Sequence, residues 1–427
     1  MRIKLGIITL LVAVTLGGCD NEPKIEPADL IFSSGAVFTS DPEQPTASAV
    51  AIRGKRIVYV GEEAGITPFI GADTRRIDIG DGLLISGLMD SHTHVFNGSF
   101  SDVGVNLSLA DTREKLPTAL EAIRDANPGS GPVYARGWQN HLFPKTGPTA
   151  LQLDDIFGDR IVILGSVDGH SRWFSSRALK EGGVDANYPD PQPGVSFFER
   201  DPLTNEPLGT GRERAGGHIA ATFIPGDRSA YQERFVRWLP RAAAAGLTGV
   251  YDAWAAAPSE QEAYEIWHSL SESGDLSIRV FGSVREIDSA DLIANQFKSF
   301  ERNFTSEMVR PEAIKLAADG VPEGHTAFLL TPYVDSSNED FGNPMISKAD
   351  MTANITTYFG ADIPVHIHAI GGAAVRMSLD AIEAARTATG NESVRATIAH
   401  MDFVHPDDIP RFKALNVTAQ TSIQWAA

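Results

Sequence analysis

The chain has 427 residues, of which 42% are hydrophobic and 8% aromatic, so it is long and apolar enough to bury a large core. It carries 55 acidic residues against 36 lysines and arginines, a formal net charge of -19, and no basic cluster. This balance argues against a nucleic-acid-binding protein, because phosphates would be repelled, and we attribute the acidity to solubility.

The first 19 residues predict a secretory signal. Two early positive charges precede an apolar stretch that is too short to span a bilayer comfortably, and the segment LGGC ends at Cys19, the only cysteine. This segment resembles the bacterial lipobox, whose cysteine is acylated; a plain signal peptide with a chance cysteine is the alternative. We therefore predict an exported lipoprotein, anchored to a membrane through Cys19, with residues 20–27 as a polar tether. By the same resemblance Asp20 implies the periplasmic face of the inner membrane, if the organism has two membranes.

Residues 28–80 predict a small, partial β-sandwich, with Gly54 and Lys55 as a hairpin turn between two alternating apolar runs. The next stretch, Leu83 to Asn97, predicts a buried strand that ends in His92 and His94. Side chains two apart on a strand share a face, so both imidazoles could bind one metal ion. An ordinary polar strand end is the alternative reading of these two histidines.

Residues 106–228 predict an insertion, because the pattern loosens into segments rich in proline and glycine. Within it an apolar strand is expected to run through Asp168 and His170 into a helix. The stretch from Val184 to Arg214 predicts a surface loop or lid.

From Tyr231 onwards helices and apolar strands alternate, which is typical of a parallel sheet. So many units in series favour an α/β fold of the (β/α)8 TIM-like barrel class over an open sheet, and we assign the barrel to residues 81–427. Counted from the strand of His92 there are seven strands, and the eighth is not in the chain.

Polar residues recur at the carboxyl ends of these strands, where barrel enzymes place their working groups. His368 and His400 end two later strands, so they are predicted metal ligands together with His92 and His94. His366 shares a face with His368, and we expect it one layer deeper, packing or supporting a ligand.

Lys315 lies inside an apolar strand, where a lysine is costly unless it is neutralised or paired. One reading is a lysine carboxylated by carbon dioxide that bridges two cations; the other is a lysine paired with Asp319 or with a substrate anion. Asp319 could equally cap a turn. Imidazole-rich ligation favours one or two zinc ions as the cofactor.

The stretches GLMDSHTH, VDGHSRWFSSRAL, AIKLAADG, VHIHAIGG and IAHMDFVHPDDIPRFKALNV resemble the amidohydrolase superfamily, within it the YtcJ-like branch, amidohydrolase family 3. The resemblance covers most of Asp81 to Gln424. It implies a barrel flanked by a β-sandwich and hydrolysis of amide-like C–N bonds in a small-molecule substrate by metal-activated water. It also implies the four predicted histidine ligands, Lys315 as a carboxylated bridge, and His170 near the substrate. We also predict that Asp168 and His170 contact the substrate, and His170 could alternatively be a helix cap.

Two departures from the family pattern qualify this reading. Gly372 stands where the family usually has an aspartate, and the family's eighth strand, which supplies an aspartate to the metal and to the attacking water, is missing. A barrel with two open edges is therefore expected. A membrane-anchored binding protein or inactive homologue is the rival function, and a partial reading frame of a complete enzyme is the interpretation we favour.

Overall fold

The structure, a computed structural model, describes residues 25–99, 107–223, 226–255, 259–334 and 340–422. The chain divides into two compact units, Met1–Gly87 and Leu88–Ala427. The sequence analysis placed the boundary at residue 80, but in the structure it lies after Gly87. The reason is that Leu83–Leu84 pairs in parallel with Ala36–Phe38 of the first unit. Cys19 and its signal segment lie outside the described residues, so the lipid anchor stays a prediction. No helix in those ranges is both long and apolar enough to cross a membrane.

The first unit contains two small sheets. Their strands are β1 (Leu30–Ser33), β2 (Ala36–Phe38), β3 (Thr46–Ala47), β4 (Ala49–Arg53), β5 (Arg56–Gly61), β6 (Arg75–Asp78) and β7 (Leu83–Leu84). The sheet orders are β5-β4-β1-β6 and β3-β2-β7, and Val37 and Val50 pack together between them. Gly54 adopts a φ of +56° at the predicted hairpin turn, a conformation that glycine accepts without steric cost.

The second unit contains twelve strands and eleven helices. The strands are β8 (Leu88–Thr93), β9 (Val133–Trp138), β10 (Val162–Ser166), β11 (Ser171–Phe174), β12 (Phe198–Arg200), β13 (Pro207–Arg212), β14 (Leu247–Asp252), β15 (Arg279–Arg285), β16 (Val309–Ala317), β17 (Val365–Ala369), β18 (Ala396–His400) and β19 (Val417–Thr421). The helices are α1 (Val95–Ser99), α2 (Leu116–Ala126), α3 (Ala150–Phe157), α4 (Ser176–Glu181), α5 (Gly217–Phe223), α6 (Arg228–Ala244), α7 (Glu260–Ser273), α8 (Ala290–Phe304), α9 (Lys348–Gly360), α10 (Gly372–Thr389) and α11 (Ile409–Ala414). Both counts refer to the described ranges.

Seven of these strands form one parallel sheet in the order β8-β14-β15-β16-β17-β18-β19. The apolar faces of the helices between them cover the strands, and Trp267, Tyr264 and Phe359 are fully buried in this core. Strand order follows chain order, as it does in barrels built from successive βα units. The predicted α/β architecture, a nearly closed barrel sheet with seven parallel strands, is confirmed.

The first barrel strand differs from its prediction. It covers only Leu88–Thr93, and the side chains of Leu88 and Met89 are about half exposed, at 48% and 53%. In the described part of the chain β8 pairs with β14 alone, so one of its edges has no ladder. The prediction of a buried strand was therefore wrong, although His92 and His94 do lie at its carboxyl end.

The insertion is a five-stranded sheet, ordered β12-β13-β11-β10-β9, with apolar clusters of its own. Two predictions inside it were wrong. His170 lies in a turn between the antiparallel strands β10 and β11, and Ser175 is the residue that caps α4. The supposed loop from Val184 to Arg214 contains β12 and β13, and Arg212 is almost fully buried. β13 pairs with β11, about forty residues earlier in the chain, and the glycine and proline content of the segment gives no sign of that pairing.

Candidate metal centre

Four imidazoles meet at the carboxyl ends of the barrel strands. The ring centroid of His92 lies 4.6 Å from that of His400 and 5.5 Å from that of His94, and His368 lies 4.6 Å from His400. His92 and His94 lie at the end of β8, His368 lies in β17 and His400 ends β18. His92 and His400 are 308 positions apart in the sequence. The parallel sheet therefore assembles the four predicted ligands into one cluster, which we call the rim cluster: His92, His94, His368 and His400.

The backbone beneath His400 is strained. His400 and Met401 have φ values of +77° and +57°, which residues other than glycine rarely adopt. The ladders of β18 and a hydrogen bond of 3.0 Å from the Met401 N–H to the Ala369 carbonyl hold this turn. Such strain persists where the surrounding structure enforces it, and it is concentrated at functional sites.

Lys315 is 4% exposed and pairs in register with His366 of the neighbouring strand. Burial lowers the pKa of its ammonium to about 7. In the described ranges Asp319 is no partner for it, because the Asp319 carboxylate accepts hydrogen bonds from the N–H groups of Phe328, Ile370 and Gly371. The pairing of Lys315 with Asp319 is therefore corrected: Asp319 fixes the turn that follows β17.

His366 lies against both the rim cluster and the barrel interior. Its Nε2 is 3.0 Å from Nδ1 of His92, and its ring is 4.7 Å from that of Tyr251. The sequence placed His366 one layer deeper as a packing or supporting residue, and these contacts agree with that position.

The rim cluster is uncharged near neutral pH. Burial lowers the pKa of His94 to about 3 and that of His400 to about 2, with the Lys315 charge adding to the effect. Burial also holds the pKa of His92 and of His368 far below the ordinary range. Metal ions bind the neutral imidazole, so the side chains already have the protonation state that ligation needs.

Two buried ring nitrogens test whether these residues fit a metal ion. His92 Nε2 and His94 Nδ1 are buried without a hydrogen-bond partner, as is Oδ2 of Asp252 at the end of β14. Unsatisfied buried polar atoms are rare and need an explanation, and an imidazole-rich set of this kind suits zinc. Within the described ranges, no three histidine, cysteine, aspartate or glutamate side chains already have an arrangement that could hold a metal ion.

The insertion adds His170 to the site. Its ring lies 5.4 Å from that of His368, and its Nδ1 is 2.7 Å from Oε2 of Glu213. Thr326, in the segment after β16, donates to Oε1 of Glu213 at 2.7 Å, and the Glu213 N–H donates to the His170 carbonyl at 2.7 Å. Burial disfavours a charge on His170, but the Glu213 carboxylate outweighs it and raises the pKa to about 9. His170 is thus held in one orientation.

Asp168 organises the turn that carries His170. Its Oδ1 accepts the His170 N–H at 2.8 Å, and its Oδ2 accepts the Asn140 amide at 2.6 Å. Both oxygens are engaged within the insertion, and a direct contact of Asp168 with substrate stays a prediction.

The sequence reading missed Glu213, Thr326, Asp252 and Ser422, whose hydroxyl lies 2.9 Å from Nδ1 of His400. Asp252 ends a barrel strand, as the histidines do, so the strand-end rule could have found it. Glu213 follows a strand that was read as a loop, and nothing in its sequence context signals a contact with His170.

Several known proteins are similar to this chain in sequence or in fold. The exoenzymes regulatory protein AepA of Pectobacterium carotovorum is 27% identical over 411 residues, which cover 93% of this chain and 86% of that protein. N-substituted formamide deformylase of Arthrobacter pascens is 25% identical over 381 residues, covering 86% of this chain and 68% of the enzyme. A metal-dependent hydrolase from Pyrococcus furiosus superposes with a TM-score of 0.65 at 22% identity, covering 92% of this chain and 76% of its own, which bears on the fold alone.

A sequence model of the amidohydrolase family matches residues 75–427, which is most of the chain and includes every rim histidine. The resemblance drawn from the motifs is confirmed, and it supports a hydrolase function. The chain belongs to the amidohydrolase family, specifically to amidohydrolase family 3.

Proposed function

We propose that this protein is a metal-dependent hydrolase that cleaves amide-like C–N bonds of a small molecule. The observation that carries the proposal is the convergence of neutral, buried imidazoles from three barrel strands, with ring nitrogens of His92 and His94 unsatisfied. The name of the Arthrobacter relative, a formamide deformylase, supports the bond type.

The rim cluster and Lys315 would hold one or two divalent cations, with zinc the best match to imidazole ligands. Such a cation supplies Lewis acidity, which lowers the pKa of water and polarises a carbonyl group. In the reaction, the oxygen of water adds to the carbonyl carbon, the C–N bond breaks, and the nitrogen leaves with a proton.

Lys315 is proposed to be carboxylated. Its neutral amine would attack carbon dioxide, so that one N–C bond forms and one proton is released, leaving a carbamate anion. Burial favours this, because a pKa of about 7 leaves much of the amine uncharged at neutral pH. A carbamate would also place a negative charge among side chains that otherwise supply only imidazoles.

His170 is proposed to orient the carbonyl and to stabilise the negative charge that develops on its oxygen. Glu213 engages Nδ1, so the second ring nitrogen, Nε2, is the one available for substrate. Holding a donor rigidly before the reaction avoids the cost of reorienting it in the transition state.

A non-catalytic role is the second candidate, favoured by the name of the Pectobacterium relative, a regulatory protein. Gly372 was one of the two sequence arguments for it, the other being the missing eighth strand. A Cβ at Gly372 would lie 3.1 Å from the Phe403 carbonyl oxygen, so a larger residue would press on that backbone. Asp319 already supplies a carboxylate to the N–H groups of Ile370 and Gly371 just before α10. Gly372 alone therefore gives little support to an inactive homologue.

The deciding experiment measures metal content and amide hydrolysis in the wild type and in His92→Ala. We expect His92→Ala to lose most bound metal and to lower kcat/KM by about a thousandfold or more, since a ligand is removed. His141→Ala, at an exposed histidine of the insertion, is the matched control and keeps both. A His92→Ala protein with full metal content and activity would refute the ligand assignment. A wild type that binds metal but hydrolyses no amide would favour the non-catalytic role.

A further inference from the structure

A cavity of about 270 Å³ lies at the carboxyl ends of β15 and β16, where Glu286 and Ala317 line it. One of its walls contains Ala317, which pairs in register with His368, and another contains Glu213, which holds His170. Glu286 also lines it, and its N–H donates to the carbonyl of Lys315 at 2.9 Å. Three residues that line the cavity are thus immediate neighbours of His368, His170 and Lys315, the groups to which we assign the chemistry.

The charged groups of the cavity are mostly acidic. Glu213, Glu286 and Asp288 line it together with one cation, Arg214. Glu213 is already engaged by His170 and Thr326. Glu286 and the exposed Asp288 are therefore the carboxylates that remain for a ligand, and Arg214 offsets only one of them.

Glu286 is built into the wall rather than free at the surface. Its Oε1 accepts hydrogen bonds from the amide of Asn354 at 2.7 Å and from the hydroxyl of Tyr358 at 3.0 Å. A carboxylate can accept about four hydrogen bonds, so two donors fix its position and leave capacity for a ligand. The position of this carboxylate is thus set before any ligand arrives.

The size and the remaining walls restrict what fits. Pockets for whole drug-sized ligands are about 300 to 1,000 Å³, so this cavity suits one substituent of a substrate rather than all of it. Val195 and Ile346 contribute apolar surface beside the acidic groups. This combination matches a short alkyl chain that ends in a cation.

We propose that the cavity is a specificity subsite for a primary ammonium group, so that the preferred substrates are short diamines acylated on one nitrogen. The inference rests on the proposed function and names the substrate class of that site. Glu286 and Asp288 would attract the ammonium group, while the amide carbonyl lies at the rim cluster and His170.

The test uses three probes of similar length: N-formyl-1,5-diaminopentane, which is cationic, N-formylhexylamine, which is neutral, and N-formyl-6-aminohexanoate, which is anionic. Affinity is measured by titration calorimetry on the full chain, and hydrolysis is followed separately. We expect the wild type to bind the cationic probe about tenfold more tightly than the neutral one, and the anionic probe most weakly.

Asp288→Asn should reduce that preference to about threefold, and Asp288→Asn combined with Glu286→Gln should abolish it. The charge reversal Asp288→Lys should bring the anionic probe to at least equal affinity. Asp291→Asn removes the same charge at an exposed position three residues away that does not line the cavity, and it should leave the preference intact.

Equal binding of the three probes, or an equal effect of Asp288→Asn and Asp291→Asn, would overturn the subsite. If the charge preference is found but none of the probes is hydrolysed, the subsite stands and the proposed amide hydrolysis fails for these substrates. If all three are hydrolysed without preference, the proposed function stands and the subsite fails.

Discussion

Histidines of the barrel and of the insertion have opposite electrostatic surroundings, although they lie within one site. His94 and His400 are surrounded by other imidazoles and by Lys315, and their pKa values are lowered to about 3 and about 2. His170 faces the Glu213 carboxylate, and its pKa is raised to about 9. The same side chain therefore suits the two tasks of the proposed function: neutral ligands for a cation in the barrel, and a fixed N–H donor in the insertion.

The two regions also differ in how their hydrogen bonds are satisfied. In the rim cluster, His92 Nε2 and His94 Nδ1 are buried without partners. In the insertion, both carboxylate oxygens of Glu213 have partners, His170 and Thr326. This contrast teaches that ring nitrogens of the rim cluster are left open to a ligand, whereas Glu213 is already held by His170 of the insertion and by Thr326 of the segment after β16.

The largest effect is expected at Lys315, on the barrel side of this comparison. Lys315→Met should lower kcat/KM by about a thousandfold, because it removes the proposed bridging anion. Added formate or acetate should restore part of the activity of a smaller variant, Lys315→Ala, by replacing the carbamate. Labelling the wild type with ¹³C-bicarbonate should give a carbamate signal in its NMR spectrum.

Lys298→Met, at a lysine on the outer helix α8, is the control and should keep full activity. Unchanged activity of Lys315→Met, or a wild-type spectrum without a carbamate signal, would contradict the carboxylated lysine. The barrel side would then consist of imidazole ligands alone.

A smaller effect, on stability, is expected from the insertion side. The pKa of His170 is raised from 6.5 to about 9, so its pair with Glu213 stabilises the fold fully below pH 6.5 and loses that contribution as the pH rises through about 9. A pKa difference of about 2.5 corresponds to about 3 kcal/mol. The free energy of unfolding of the wild type should therefore exceed that of Glu213→Gln by up to this amount at pH 6, and the excess should shrink towards pH 10.

Denaturant unfolding at several pH values measures this, with Glu206→Gln, an exposed glutamate of the insertion, as the control. A difference between the wild type and Glu213→Gln that stays constant from pH 6 to pH 10 would show that His170 is not charged in the folded protein. The electrostatic contrast between the two regions would then be lost.

The smallest effect is expected at Thr326, which joins the two regions. Its hydroxyl donates to Oε1 of Glu213 at 2.7 Å, so Thr326→Val should loosen Glu213 and with it the orientation of His170. We expect kcat to fall about tenfold with little change in KM, since positioning rather than binding is lost. Thr387→Val, at an exposed position on α10, should change neither. A fall in stability without any change in kcat would assign Thr326 to folding alone.

Much of the barrel could be predicted because its signals are local. Alternating helices and apolar strands, with histidines at strand ends, are written in short stretches around His92, His368 and His400. The insertion was predicted less well because β13 pairs with β11 across about forty residues, and pairing over that distance leaves no local pattern. The exposure of Leu88 and Met89 was missed for a similar reason. An apolar run predicts a strand but does not indicate whether other strands pair with both of its edges.

The residue types of the predicted site, the parallel barrel and the family membership could all be inferred from the sequence alone, because each depends on periodicity or on contiguous motifs. Two interactions follow only from the tertiary structure. Asp319 accepts hydrogen bonds from backbone N–H groups of the turn before α10 instead of pairing with Lys315, and Glu213 binds His170. The tertiary structure also decided the protonation of the histidines. These properties depend on which groups are buried next to each other, and residues 43 or 51 positions apart in the chain become neighbours only when the sheets assemble.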